Sequence, residues 1–208
     1  MKHAHTYDRH GDNVDRQNLN FFREAATCRY LKQHGFCERG LVPDFYGVVR
    51  DMMPEDWSII GLFRPRLLPA DAILIEFIPE MQMLNLENYT KSRGEIICQT
   101  FRDFNRLGVL HRDIHPRNIQ IVIGRTRRSE RVLWTDFELS ELIDRRRSKG
   151  VLKEWLKNER KQLAELLKCV AEDYEIGELD SSYHYYHESS EGFSDISSEE
   201  SSKARLGH

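Results

Sequence analysis

Asp113, Asn118 and Asp136 are the residues of this chain whose types and spacing could do chemistry together. Asp113 belongs to the stretch Leu110-His111-Arg112-Asp113-Ile114-His115-Pro116-Arg117-Asn118, and Asn118 stands at the mouth of a β-branched run. Asp136 lies in Trp134-Thr135-Asp136-Phe137-Glu138, just past the next such run. If the two runs pair as a ribbon, three oxygen-bearing side chains surround one point. Asn118 and Asp136 are hard ligands of the kind that hold Mg²⁺, which keeps several waters and takes further oxygens from phosphate. Asp113 is left to orient a hydroxyl. Phosphoryl transfer needs this division, because its transition state demands neutralised charge and in-line positioning more than covalent chemistry.

The elements that must position these groups are legible in outline. A helix is expected over Leu19 to Gln33, capped by Asn18 or Asn20, with Phe22, Ala26 and Tyr30 on one face and Gly35 closing it. Pro43 opens a strand from Phe45 to Val49, and a loop with Pro54, Gly61, Pro65 and Pro69 follows. Ala72 to Ile78 reads as a buried strand ending at Pro79. Ile97, Phe101 and Phe104 then mark a helix that stops near Gly108. Strands over Ile119 to Ile123 and Arg131 to Trp134 flank the basic turn Gly124 to Glu130. After Gly150 a long amphipathic helix carries an apolar stripe of Leu152, Trp155, Leu156, Leu163, Leu166, Leu167 and Val170, the pattern of core packing. The fold class expected is α+β: a few antiparallel strands plus one helix, followed by a mainly helical part.

This order of motifs resembles the protein kinase-like superfamily, through the His-x-Asp-x-x-x-x-Asn element and the following Asp-Phe pair. Phe22-Arg23-Glu24-Ala25 is especially similar to its fungal members. The resemblance runs from about Leu19 to Phe137 and more weakly to Val170. It implies a bilobal fold: a polar, poorly ordered N-terminus over 1–18, a partial N-terminal lobe over 19–79, a C-terminal lobe over 80–172 and an acidic, Ser-rich disordered tail over 173–208. It implies ATP and Mg²⁺ as cofactors, Asp113 as catalytic base, and Asn118 and Asp136 as metal ligands. Glu24 would pair with the Lys that anchors the nucleotide, for which Lys2 is the nearby candidate. Ile75 would guard the adenine pocket, with the Glu76 carbonyl and the Ile78 amide facing the base. His111 and Arg112 would brace the loop. The acceptor would carry a hydroxyl, on a protein Ser or Thr or on a small molecule.

Three departures qualify that picture. The residues before Leu19 hold no Gly-rich phosphate loop, which leaves a two-stranded remnant with a bare edge. Either the native chain extends upstream of Met1, or another segment completes the sheet, or the site binds nucleotide poorly. Glu138 stands where most protein kinases have Gly, and no Ala-Pro-Glu element follows. His115-Pro116 is similar to the small-molecule phosphotransferases of the superfamily. Two readings therefore compete with a working kinase: a pseudokinase that binds nucleotide without turnover, and a small-molecule kinase. Nucleic-acid binding through Arg125, Arg127, Arg128 and Arg131 ranks below them.

Composition excludes other classes. Of 208 residues 39% are apolar and 31% charged, enough for a core over most of the chain. The formal charge of −3 conceals a split: from Ala171 onward ten acidic and two basic residues give −8, leaving +5 before them. No apolar run approaches the ~20 residues of a membrane helix, and no secretory signal opens the chain. Cys28, Cys37, Cys98 and Cys169 are scattered, as expected of reduced, mostly buried thiols in an intracellular protein, cytoplasmic or nuclear. From about Asp180 the near absence of aliphatic residues predicts a segment that cannot repay the entropy of folding. Within it Ser197-Ser198-Glu199-Glu200 resembles an acidophilic phosphorylation site.

Overall fold

The computed structural model describes residues 5–6, 13–52, 70–124, 130–143 and 149–187. Lys2, the proline-bearing loop, Arg125, Arg127 and Arg128 of the basic turn, and the serines near residue 197 lie outside them. Among the described residues the chain is a mixed α+β fold of small antiparallel sheets and helices. No helix is long and apolar enough to cross a membrane.

The first sheet is built from β1 (His5–Thr6), β2 (Phe45–Met52) and β3 (Ala70–Ile75), with β3 in the middle. The sequence suggests two strands here; the third arises because His5–Thr6 pairs antiparallel with Asp71 and Ala70. β2 and β3 pair from Phe45 opposite Ile75 to Met52 opposite Ala70, with register shifts after Phe45 and Val49. Helix α1 spans Asn13–Gln33. It starts well before the expected Leu19, because no breaker separates Gly11 from the apolar residues. Lys32 near its end ties it to β2, with Nζ 2.9 Å from Asp44 and 2.7 Å from the Phe45 carbonyl.

The second sheet orders β4 (Gln82–Met83), β6 (Ile119–Val122) and β7 (Arg131–Trp134). β6 and β7 form the expected ribbon, with Ile119 opposite Trp134. Between β4 and β6 come helix α2 (Lys91–Leu107), strand β5 (Val109–Leu110) and a 3-10 turn (Pro116–Asn118). The Thr90 hydroxyl caps α2 by accepting the Arg93 N–H, and Gly108, at φ +81°, ends it. β5 pairs with β8 (Glu141–Leu142). Helices α3 (Lys149–Ile176) and α4 (Tyr183–His187) complete the described chain.

One core joins these parts. Phe104 lies at its centre, stacked on Phe36 and edge-on to Phe101, Trp134 and Phe137. Leu31 and Val42 enter it from the first part of the chain, Leu163, Leu166 and Val170 from α3. The α1 face read from the sequence is rotated. Ala25, Thr27 and Leu31 are buried, whereas Phe22 is 48% exposed and Ala26 faces outward. Trp155 likewise leaves the α3 stripe, 40% exposed beneath the Arg112 guanidinium. Of the four free thiols only Cys169 is buried.

The expected start of disorder at residue 173 is also displaced. α3 continues to Ile176, and α4 follows over Tyr183–His187. Composition misses this because the ordering comes from one buried carboxylate, Asp173, which binds the backbone of residues 180–182.

Phe104→Ala should destabilise the chain by about 3–5 kcal/mol, the range for deleting a buried aromatic ring. A urea titration monitored by Trp fluorescence checks this through a lowered midpoint.

Candidate functional site

The loop from His111 to Asn118 is held from both sides. The His111 ring is wholly buried, tilted against Trp134 and Phe137, with Nε2 3.1 Å from the Thr135 carbonyl. A carbonyl only accepts, so Nε2 carries the proton and donates. Burial pushes the imidazole down to about 4, and it is neutral at physiological pH. On the other side, the Arg112 N–H donates to Glu159 of α3 at 2.7 Å, while its guanidinium meets Glu141 at 3.0 Å. Burial raises the Glu159 carboxyl to about 7, only partly offset by that N–H and the Arg112 charge. Arg112 takes a left-handed backbone, φ +63°.

With its neighbours fixed, Asp113 is aimed at Asn118. The Asn118 side chain, on a residue only 1% exposed, donates to the Asp113 carbonyl at 3.1 Å and to its carboxylate at 2.7 Å. The amide nitrogen being used up, the Asn118 Oδ1 is the atom left for a cation. The Arg117 guanidinium contacts both Asp113 carboxylate oxygens at 3.0 Å. His115 Nε2 lies 3.6 Å from Asp113 Oδ1.

Asp136 reaches the same neighbourhood by way of the ribbon. The Thr135 N–H donates to the Asn118 carbonyl at 2.9 Å, extending the β6–β7 ladder by one step. Asp136 then turns with φ +65°, a conformation disfavoured without a Cβ-free residue. Phe137 beyond it is buried, and Ser140 anchors the segment to α1: its hydroxyl donates to the Phe137 carbonyl at 2.5 Å and is hydrogen-bonded to the Thr27 hydroxyl at 2.8 Å. Arg112 and Asp136, on the two sides of one hydrogen-bonded loop, both hold left-handed backbone, as Asp51 and Glu80 do elsewhere in the chain.

Asp136 lines a cleft with Glu24 and Cys28 of α1, Val42, and Ile75 at the end of β3. The structure thus ties Asp113 to Asn118 directly, brings Asp136 alongside them through the Thr135 backbone, and lines one cleft with Asp136, Glu24 and Ile75. Its free space is ≈ 20 Å³, room for about one water, so a purine ring requires the walls to part. Glu76 and Ile78 are not among its lining residues. The Glu76 side chain instead forms a fork with Arg131 at 2.7 and 3.1 Å and accepts the Asp44 N–H at 3.1 Å. That bridge holds the end of β3 to β7 and lowers the Glu76 carboxyl from its usual range. Among the described residues no three His, Cys, Asp or Glu side chains form a metal-binding group. The donor set is one carboxylate and one amide oxygen, which suits a hard, largely hydrated cation such as Mg²⁺.

Glu159 is the site residue that sequence reasoning misses. The available signal is a carboxylate on the apolar stripe of α3, between Leu156 and Leu163. Its proton uptake predicts a measurable pH dependence. Unfolded, Glu159 ionises near the ordinary 4.5; folded, it stays protonated until about 7. The wild type therefore loses stability on this account as pH rises through that window, and Glu159→Gln removes the loss. The stability of the variant relative to wild type should grow by about 3 kcal/mol between pH 4.5 and 7. Paired urea titrations across that range check both sign and size.

No family model matches the chain, and no curated protein matches it.

Proposed function

We propose that this chain is a kinase-like, ATP-dependent phosphotransferase with two lobes meeting at the cleft between Glu24 and Asp136. The observation that carries the reading is the tie from Asp113 through Asn118 to Thr135. It joins Asp113, Asn118 and the residue preceding Asp136 in one hydrogen-bonded loop pair, which supports a hydroxyl-orienting role for Asp113 and a cation-holding role for the side chains of Asn118 and Asp136. Glu24 facing the same cleft as Asp136 adds support, because the two come from opposite ends of the fold.

Asn118 and Asp136 would hold Mg²⁺, which when bound neutralises phosphate oxygens. Asp113 accepts or orients the acceptor hydroxyl, and its bonds from Asn118 fix which oxygen faces it. Glu24 would secure a cationic anchor for the nucleotide, for which Lys2, outside the described residues, is the candidate. His111 remains neutral and reacts with nothing; its part is to hold Thr135. The acceptor is a hydroxyl of a protein or of a small molecule.

A second reading, a nucleotide-binding scaffold without turnover, draws on two observations. Arg117 occupies both oxygens of Asp113, and the cleft is narrow. The two readings separate experimentally. Asp136→Ala should abolish Mg²⁺-dependent stabilisation by ATP in a thermal shift assay; undiminished stabilisation refutes the assignment. Asp113→Asn should keep that stabilisation while lowering phosphotransfer by roughly 10²–10⁴-fold, the usual contribution of a positioned base. Turnover is read with radiolabelled ATP on a panel of protein and small-molecule acceptors. Nucleotide binding with silence throughout the panel identifies the scaffold.

A further inference from the structure

The end of the described chain carries aromatic and histidine residues that the site described above does not use. After α3 the chain turns at Gly177, φ +87°, and doubles back. Asp173, wholly buried, gathers it. Its carboxylate accepts the N–H groups of Asp180, Ser181 and Ser182 at 3.1, 2.9 and 2.8 Å, and the Ser182 hydroxyl at 2.5 Å. Burial opposes ionisation of Asp173, but these donors outweigh it and leave its carboxyl below the usual range.

The result is that α4 lies against the Pro116–Asn118 turn. Tyr185 packs on the main core and presents its ring edge-on to His115, centroids 6.3 Å apart and planes at 70°. His115 needs such a contact. Among the described residues its buried Nδ1 has no hydrogen-bond partner, and its one polar approach is the 3.6 Å from Nε2 to Asp113. No strong hydrogen bond fixes the imidazole, so packing must.

We propose that Gly177–His187 is a strap that fixes the acceptor side of the turn, with Tyr185 as a positioning residue. The Tyr185 ring holds His115 beside Asp113, and His115 shares with Arg117 and Asn118 the setting of that carboxylate. The catalytic consequence rests on the phosphotransferase reading given above; the placement of His115 does not.

The test uses the full chain and the imidazole ¹H–¹⁵N NMR signals of His115, identified by their loss in His115→Gln. Tyr185→Leu should shift these signals, Tyr185→Phe should leave them in place, and Asp113→Asn should shift them too. Asp173→Asn, which loosens the strap without touching the turn, should reproduce the Tyr185→Leu shift and serves if Tyr185→Leu fails to fold. In turnover, Tyr185→Leu should lower kcat by roughly ten- to a hundredfold, the scale of a misplaced reacting group, with KM for ATP unchanged and Tyr185→Phe restoring the rate. His115 signals indifferent to Tyr185→Leu and Asp173→Asn overturn the strap, whether or not the wild type turns over. Shifts as expected with a wild type that transfers no phosphate overturn the phosphotransferase reading and leave the strap standing.

Discussion

The His111 ring, enclosed by Trp134 and Phe137, donates to the Thr135 carbonyl, and the acidic side of the cleft is placed relative to that bond. In a dry site an unpaired polar atom costs free energy, so the loop and the strand end cannot separate without exposing both partners to an apolar surround. Thr135 is used twice, since its N–H also holds the Asn118 carbonyl. The two bonds fix the residues on either side: Asp113 after His111, and Asp136 after Thr135. Burial that keeps the imidazole neutral is part of the same device, because a second ring N–H would find no acceptor at Nδ1.

Around this tie the fold distributes its polar groups with little redundancy. Glu159 holds the Arg112 backbone from α3 while its second oxygen has no partner, a condition that protonation relieves. Glu76 and Arg131 fasten the end of β3 to the ribbon. Asp173 fastens the strap. Each is a buried or half-buried carboxylate whose donors come from a different element. Of the three, the Glu76–Arg131 bridge acts beside the cleft, next to Ile75, while Glu159 and Asp173 brace the loop behind it. The exposed ion pairs, such as Arg39 with Asp103, contribute far less to that arrangement.

Among the described residues four side-chain-bearing positions sit at positive φ, Asp51, Glu80, Arg112 and Asp136, and two of them flank the loop where the chemistry is proposed. Asp136 and Arg112 both sit at positive φ, a state that ordinary side chains adopt only when their surroundings demand it. For Arg112 the demand comes from Glu159 and Glu141; for Asp136 it comes from Thr135 on one side and buried Phe137 on the other. A purely structural turn would relax more cheaply with glycine or asparagine.

Periodicity and turn chemistry were enough to locate α2, the β6–β7 ribbon and the long α3, because each buries a stripe set by local spacing. The same reasoning expects Asp113, Asn118 and Asp136 near one another, and the ribbon accounts for the part the structure displays: Asn118 bonded to Asp113 and, through its carbonyl, to the residue before Asp136. What the chain could not disclose locally were interactions between distant segments. The buried face of α1 depends on which side the core approaches, and the approach turned Phe22 and Ala26 outward. The added strand His5–Thr6 exists only because β3 offers it an edge. Glu159 reads as an ordinary helical acid and Asp173 as the first residue of a disordered tail until tertiary structure removes them from water and supplies backbone donors. A carboxylate's role is set by its dielectric surroundings and its partners, and neither is written in the residues beside it.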